Sequence, residues 1–175
     1  VSHSVIVQNS APGISSVNIH PSAPLATTPL LCNWSGYLDR EGEDDVSTVE
    51  WFINGESVGT GTSLDSGYVH ADVVECVVTP FDGIDAGTPV SGSRTIYNTS
   101  PVIGGLTVAP SPAYRTQELT CLWDTFTDPD GEPDLSEVKW KLNGIWIHEL
   151  TGSTTFPAGA AEEDDDVRCE VAAFD

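Results

Sequence analysis

Two short loops of the sequence concentrate carboxylates around a glycine. They read DREGEDD at positions 39–45 and DPDGEPD at positions 128–134. Oxygen ligands gathered around a turn suit Ca²⁺, a hard cation that accepts irregular geometry. Neither loop is an EF-hand, because the glycine comes too early and no glutamate closes the loop at the required spacing. The candidate calcium ligands are Asp39, Glu41, Asp45, Asp128, Asp130 and Asp134.

The same residues also suit an ordinary polar turn, in which Asp side chains accept hydrogen bonds from nearby backbone N–H groups. The sequence leaves both interpretations open. Glu41 stands where the second loop has Asp130, which favours the second loop as the cation site. A second possibility is that Asp82 and Asp175, each at the end of a strand-like run, close on the same loops or on the domain junction.

The two loops recur because the sequence is duplicated. Cys32 matches Cys121 and Trp51 matches Trp140, in both cases at an offset of 89 residues. The offset widens to 93 by the pair Cys76 and Cys169, so the second repeat carries four extra residues. They fall in the stretch that also holds the unmatched Trp146, where we expect a longer loop or hairpin tip.

The pattern of apolar residues predicts strands throughout. STVEWFING and SEVKWKLNG alternate apolar and polar residues, so one face of each run enters a core. Both runs end in Asn-Gly, which favours a type I′ hairpin turn because both central residues need positive φ. No segment has a helical period over three turns. The sequence therefore predicts an all-β protein.

The repeated pattern CNW, acidic loop, VEWFING, VVECVV resembles the tandem immunoglobulin-like repeats, close to PKD and cadherin-like modules, of prokaryotic extracellular and cell-surface proteins. The resemblance implies two tandem β-sandwich domains, each with one inter-sheet disulfide, Cys32 to Cys76 and Cys121 to Cys169. Loops of this acidic kind often hold calcium in such modules. A metal site or nucleophile made of cysteines is disfavoured, since no CxxC spacing occurs.

Composition limits the partners and the compartment. The chain has 27 Asp and Glu against six Lys and Arg, a net charge of −21, so nucleic acid and anionic membranes would be repelled. No apolar run is long enough for membrane insertion. Four cysteines at equivalent positions favour disulfides and an oxidising compartment, and hence an extracellular or cell-surface location.

No catalytic motif stands out. The sequence has no nucleophile elbow, phosphate-binding loop or HExxH run, and its paired carboxylates lie in turns. We therefore expect no enzyme. The aromatic Trp146 is the one residue outside the repeat that could contact carbohydrate or a protein partner.

The first nine residues, VSHSVIVQN, read as a second version of VSGSRTIYN at 90–98, which would be the last strand of the first domain. The predicted organisation is thus a strand at 1–9, a first domain at 10–98 and a second domain at 99–175 that lacks its own last strand. Two interpretations are open: the chain is cut from a longer tandem array, or strand 1–9, with Val5, Ile6 and Val7, enters the second domain of a neighbour and builds a head-to-tail fibre.

The sequence predicts a non-catalytic structural module of an extracellular filament or surface stalk, which associates with itself or with neighbouring repeats. The alternative is an adhesin-like or carbohydrate-binding module of a large secreted protein, with Trp146 in contact with a glycan or surface ligand.

Overall fold

The computed structural model describes all residues, Val1–Asp175, and the chain divides into two compact units. Unit 1 comprises Val1–Asn98 and unit 2 comprises Thr99–Asp175. Both units are built of strands, apart from one short 3-10 helix in unit 2 at His148–Leu150. No helix of the chain is long and apolar enough to cross a membrane.

Unit 1 contains two antiparallel sheets. The first has the order β1-β2-β5 and the second the order β4-β3-β6-β7. The strands are β1 (Ser16–His20), β2 (Leu30–Ser35), β3 (Thr48–Ile53), β4 (Glu56–Thr60), β5 (Ser63–Leu64), β6 (Val73–Thr79) and β7 (Val90–Thr95).

The core of unit 1 takes alternate residues from both sheets, as the period of two along a strand requires. Ile19 of β1 and Val74 of β6 are fully buried in one cluster, together with Trp51 of β3. The disulfide Cys32–Cys76 joins β2 to β6, and therefore joins the two sheets.

Unit 2 is also built of antiparallel strands, but they form three smaller sheets. Its sheets have the orders β14-β10-β9, β11-β8 and β13-β12-β15. The strands are β8 (Val102–Gly104), β9 (Thr107–Ala109), β10 (Leu119–Leu122), β11 (Thr125–Thr127), β12 (Glu137–Leu142), β13 (Ile145–Ile147), β14 (Thr155–Phe156) and β15 (Val167–Ala172).

The core of unit 2 centres on Trp140, which is fully buried and lies against Phe156 with ring centroids 5.5 Å apart. The disulfide Cys121–Cys169 joins β10 to β15, again across two sheets. Both predicted disulfides are therefore confirmed. So is the all-β prediction.

The two Asn-Gly pairs turn the chain as predicted. Asn54 and Asn143 both have φ of 50°, and the glycines after them have φ of 85° and 82°. Each pair joins the central Trp-bearing strand to the next strand, β3 to β4 and β12 to β13. Positive φ at both positions is what a type I′ hairpin needs.

The 3-10 helix His148–Leu150 explains most of the extra length of the second repeat. The indole Nε1 of Trp51 donates to the carbonyl of Gly61, and the indole Nε1 of Trp140 donates to the carbonyl of Ser153. The offset between the two repeats, 89 at the tryptophans, is therefore already 92 at the two acceptors. Three of the four extra residues thus lie between the Asn-Gly turn and Ser153, where the helix stands.

The first residues of unit 1 lack a partner strand, and the last strand of unit 2 lacks one of the two neighbours that its counterpart has. Residues 1–9 form no strand in the structure, and the side chains of residues 1–8 are exposed. In unit 1, β6 has a strand on each side, whereas β15 of unit 2 pairs with β12 on one side only.

Candidate functional site

The acidic loop of unit 1 is organised by a single carboxylate oxygen. Oδ1 of Asp39 accepts hydrogen bonds from the backbone N–H groups of Glu41, Gly42 and Glu43, at 2.9, 2.7 and 3.1 Å. Gly42 has φ of 92°, which lets the backbone curl around the acceptor. The turn expected from the sequence is therefore formed, with Asp39 at its centre.

The acidic loop of unit 2 is built in the same way. Oδ1 of Asp128 accepts from the N–H groups of Asp130 and Gly131, at 2.6 and 3.2 Å. Gly131 has φ of 80°. The same sequence pattern thus gives the same local structure in both units.

The remaining oxygens of these aspartates have no hydrogen-bond donor. Oδ2 of Asp39, Oδ2 of Asp128 and Oδ1 of Asp130 are buried from solvent and accept no hydrogen bond. A buried polar atom without a partner is costly, and a carboxylate oxygen most of all. Each loop therefore holds acceptor atoms that a cation could satisfy.

Three acidic side chains approach one another at each loop; in unit 1 all three belong to the loop, and in unit 2 the third, Asp175, comes from the segment after β15. Carboxylate oxygens of Asp39, Glu41 and Glu43 lie within 4.8 Å of one another. In unit 2 the cluster consists of Asp128, Glu132 and Asp175, within the same distance. Ca²⁺ binds oxygens at about 2.3–2.6 Å, so oxygens on opposite sides of one ion are about 5 Å apart. Each cluster is therefore compact enough for its three oxygens to contact one cation.

The carboxylates of the first cluster are electrostatically linked. The contact between the carboxyl groups of Asp39 and Glu43 lowers the pKa of Asp39 and raises the pKa of Glu43. Two carboxyl groups in contact behave in this way because only one of them can hold the shared proton. Their mutual repulsion is relieved either by that proton or by a cation.

The segment that leads into each unit is tied to the acidic loop of that unit. Ser10 donates to Oε2 of Glu41 through its backbone N–H at 3.2 Å and its hydroxyl at 2.6 Å. In unit 2, the N–H of Thr99 donates to Oδ2 of Asp130 at 2.6 Å. Ser10 and Thr99 occupy matching positions in the two repeats, so this attachment is part of the repeated plan.

Asp82, named from the sequence as a second possibility, lies beside the leading segment in unit 1. It is a buried acid, 7% exposed, and its Oδ2 accepts from Nδ2 of Asn9 at 2.8 Å. Its Oδ1 accepts from the N–H groups of Ile84 and Asp85, at 2.7 Å each. The hydrogen bond from Asn9, and those from the two backbone groups, lower the pKa of Asp82. Asp82 thus fixes the start of unit 1 rather than joining the cluster around Asp39.

The structure places Asp45 and Asp134 outside both clusters. Oδ2 of Asp45 accepts from the indole of Trp34 at 2.9 Å, and Oδ2 of Asp134 accepts from the indole of Trp123 at 3.1 Å. The Oδ1 atom of Asp45 also accepts from the backbone N–H and hydroxyl of Ser47. Of the six candidate ligands, Asp39, Glu41 and Asp128 lie in the clusters, and Asp130 contributes a buried oxygen in its loop.

Sequence reasoning missed two members of the clusters, Glu43 and Glu132. A signal was present: the two glutamates match at the repeat offset, four residues after Asp39 and Asp128 respectively. Asp175, the third member of the unit 2 cluster, is only a second possibility in the sequence.

The residues considered for partner binding differ in exposure. The side chains of Val5, Ile6 and Val7 are 84–89% exposed. Trp146 is 38% exposed, and Nζ of Lys141 lies 4.1 Å from the centre of its ring. This cation–π contact covers one face of the indole.

No protein-family model matches the chain, and the comparison with curated proteins gave no match.

Proposed function

We propose that this chain is a non-catalytic structural module of an extracellular filament or cell-surface stalk, consisting of two tandem immunoglobulin-like domains whose acidic loops bind Ca²⁺. One observation carries the proposal. The same carboxylate loop is built in both units and, in both, it is hydrogen-bonded to the segment that leads into the unit. A function that depends on every repeat equally suits a repeated structural element, whereas recognition would use a site found in one repeat.

The immunoglobulin-like assignment is supported by the position of the disulfides. Each one joins two different sheets, and a buried tryptophan, Trp51 or Trp140, stands on the strand beside the second cysteine. A tryptophan next to an inter-sheet disulfide is the hallmark of that class of sandwich. Domains at 10–98 and 99–175 follow from the repeat. The two disulfides also support an oxidising, extracellular location.

Calcium is supported by the carboxylate donors of the two clusters and by the buried, unpaired oxygens of Asp39, Asp128 and Asp130. In unit 1, Asp39, Glu41 and Glu43 would hold the ion, and in unit 2 Asp128, Glu132 and Asp175 would do so. When bound, Ca²⁺ would supply the positive charge that offsets the repulsion among these carboxylates. Because Glu41 also accepts from Ser10, the ion would stiffen the start of unit 1 as well as its loop.

Isothermal titration calorimetry with CaCl₂ on the full chain tests this function. We expect saturable binding, one ion in each loop. Asp39→Asn and Asp128→Asn keep a side-chain oxygen for the turn but remove the charge, so each should abolish or weaken one of the two sites. Asp44→Asn, an exposed neighbour that lies outside the cluster, removes the same charge in the same loop and should leave binding unchanged.

Two results would contradict the proposal. One is the absence of calcium binding at either loop. The other is glycan binding by the purified chain that is lost in Trp146→Ala, because recognition by this unrepeated residue would make the chain an adhesin-like module.

A further inference from the structure

Each Asn-Gly turn is held in place by the side chain of its own asparagine. In unit 1, Nδ2 of Asn54 donates to Oδ1 of Asp72 at 2.7 Å, and Oδ1 of Asn54 accepts from the N–H of Val73 at 3.0 Å. The backbone N–H of Asn54 donates to the carbonyl of Val73 at 2.9 Å. These hydrogen bonds tie the tip of the β3–β4 hairpin to the start of β6.

Unit 2 has the same set of hydrogen bonds. Nδ2 of Asn143 donates to Oδ1 of Asp165 at 2.7 Å, and Oδ1 of Asn143 accepts from the N–H of Asp166 at 2.9 Å. The backbone N–H of Asn143 donates to the carbonyl of Asp166 at 2.8 Å. Asp165 and Asp166 match Asp72 and Val73 at the offset of 93. The arrangement is therefore repeated, although the four extra residues of unit 2 lie between its two parts.

The carboxylate that holds each asparagine is itself fixed by the turn around it. Oδ2 of Asp72 accepts from the N–H of Val69 at 2.8 Å, and Oδ2 of Asp165 accepts from the N–H of Glu162 at 2.7 Å. The residue before each carboxylate has a positive φ, 68° in unit 1 and 70° in unit 2, which residues other than glycine rarely adopt. Each aspartate therefore meets its asparagine in a fixed orientation.

Asn-Gly is also the dipeptide in which asparagine deamidates most readily. The backbone nitrogen of the glycine loses its proton and attacks Cγ of the asparagine, the Cγ–Nδ2 bond breaks, and ammonia leaves after taking up a proton. Water then opens the resulting succinimide at either carbonyl, which gives aspartate or isoaspartate. Glycine favours the attack because it has no Cβ to hinder it and because its backbone is flexible. Each of these turns therefore contains the reactants for its own modification.

The hydrogen bonds of the folded units oppose this reaction. Asn54 and Asn143 are exposed to solvent, so burial does not protect them. Ring closure requires rotation about ψ of the asparagine, because the glycine nitrogen must swing to the side of Cβ, and this rotation opens a type I′ turn. In unit 1 the amide must also leave the carboxylate of Asp72, and hydrogen bonds to an ionised acceptor are stronger than those between neutral groups.

The products of deamidation would not fit the site. An aspartate at position 54 has no N–H to donate, and it would place a second negative charge against Asp72. An isoaspartate would add a methylene group to the backbone of a two-residue turn. Either product would release the hairpin tip from the start of β6.

We propose that Asn54 and Asn143 are latent deamidation sites, and that their hydrogen bonds to Asp72 and Asp165 keep them unmodified while the units are folded. The two aspartates are positioning residues, since they hold the amides and take no part in the attack. The turns lie at the ends of β3 and β12 that are opposite the acidic loops, so this protection does not depend on calcium. Its repetition in both units suits a structural module that must keep its fold for a long time.

Peptide mapping by mass spectrometry of the full chain, aged in mildly alkaline buffer, tests the proposal. We expect deamidation at both Asn-Gly pairs to be slower by about tenfold or more in the folded chain than in the same chain unfolded in urea, because the reaction must wait for local opening of the turn. Equal rates in the two states would overturn the proposal.

Removal of one aspartate identifies the protecting contact. Asp72→Ala should speed deamidation of Asn54 by about tenfold, because it removes a hydrogen bond to a charged acceptor. Asn143 in the same sample is the internal reference and should react at its wild-type rate. Asp65→Ala removes the same charge from an exposed position of unit 1 and should change neither rate. A wild-type rate at Asn54 in the Asp72→Ala chain would overturn the proposal.

Two further variants separate this contact from the general stability of unit 1. Gly92→Ala would bring a Cβ atom against the carbonyl oxygen of Val17, so it destabilises unit 1 without touching the turn. It should leave the rate at Asn54 nearly unchanged, and an acceleration equal to that in Asp72→Ala would overturn the proposal. Asp72→Asn keeps a side-chain oxygen that can accept from Asn54 and should retain most of the protection.

Discussion

The indole Nε1 of Trp34 donates a hydrogen bond of 2.9 Å to Oδ2 of Asp45, and Trp123 and Asp134 form the same pair at 3.1 Å in unit 2. In unit 1 the pair joins β2, which also carries Cys32, to the end of the acidic loop. In unit 2 the pair joins the residue that directly follows β10 to the end of the acidic loop. The loop is thus anchored at both ends, by Asp39 to its own backbone and by Asp45 to a tryptophan. This anchoring explains why Asp45 and Asp134 do not reach the clusters.

The role of Asp45 predicts a loss of stability that does not depend on calcium. Asp45→Ala removes the acceptor of the Trp34 indole and of Ser47, and should lower the free energy of unfolding by about 1 kcal/mol, a value reduced by the exposure of the site. Urea denaturation followed by tryptophan fluorescence measures this. Asp44→Ala serves as the control. A loss seen only when calcium is present would instead make Asp45 a ligand.

Removal of a disulfide should affect the two units differently. Replacing both Cys121 and Cys169 by alanine should lower the stability of unit 2 by about 2–5 kcal/mol. Unit 2 has a smaller buried core than unit 1, so the unfolding temperature of unit 2 should fall the most. Replacement of Cys32 and Cys76 should lower the unfolding temperature of unit 1 less, because its larger core remains buried. Scanning calorimetry of the two double variants checks this. Transitions that stay at their wild-type temperatures would contradict it.

The packing of β7 against β1 predicts a sharp difference between two glycines. Gly92→Ala should destabilise unit 1 by about 1–3 kcal/mol, because its Cβ would lie 2.6 Å from the carbonyl oxygen of Val17. Gly59→Ala, on the neighbouring part of the same sheet, meets no atom within 4 Å and should be neutral or slightly stabilising. Thermal unfolding of the two variants makes the comparison. Equal melting temperatures would show that β7 does not approach β1 so closely.

Asp165 predicts an acid-dependent contribution to the stability of unit 2. The hydrogen bond from Nδ2 of Asn143 at 2.7 Å, followed by that from the N–H of Glu162, lowers the pKa of Asp165 below its ordinary value of 3.8. A depressed folded-state pKa means that the contribution is present above pH 3.8 and is lost as the pH falls through the lower, folded-state value. Asp165→Asn should therefore lower the melting temperature at pH 7, and its difference from wild type should shrink in more acidic buffer. A difference that is constant with pH would exclude this linkage.

The fold could largely be predicted from the sequence. The alternation around Trp51 and Trp140 and the Asn-Gly turns are local signals, because each is carried by residues that are close together in the sequence. The disulfide pairing followed from a resemblance to immunoglobulin-like repeats, and the structure has those pairs.

The candidate site could be predicted only in part. The acidic composition located the loops, but it could not show which carboxylates lie together. Asp45 is hydrogen-bonded to Trp34 instead, and Glu43 lies in the cluster with Asp39. Alternation likewise marked residues 1–9 as strand-like. A strand also needs a partner strand, however, and residues 1–9 pair with none in the structure.

Thermal unfolding of the full chain in calcium and in chelator tests the central claim most directly. Ligand at about a hundredfold excess over its dissociation constant adds about 2.7 kcal/mol. For units of this size we expect melting temperatures higher by about 10 °C or more in Ca²⁺ than in EDTA. The increase should involve both units, and it should disappear when Asp39→Asn and Asp128→Asn are combined. Identical melting curves in Ca²⁺ and EDTA would contradict the claim that the repeated acidic loops are calcium sites.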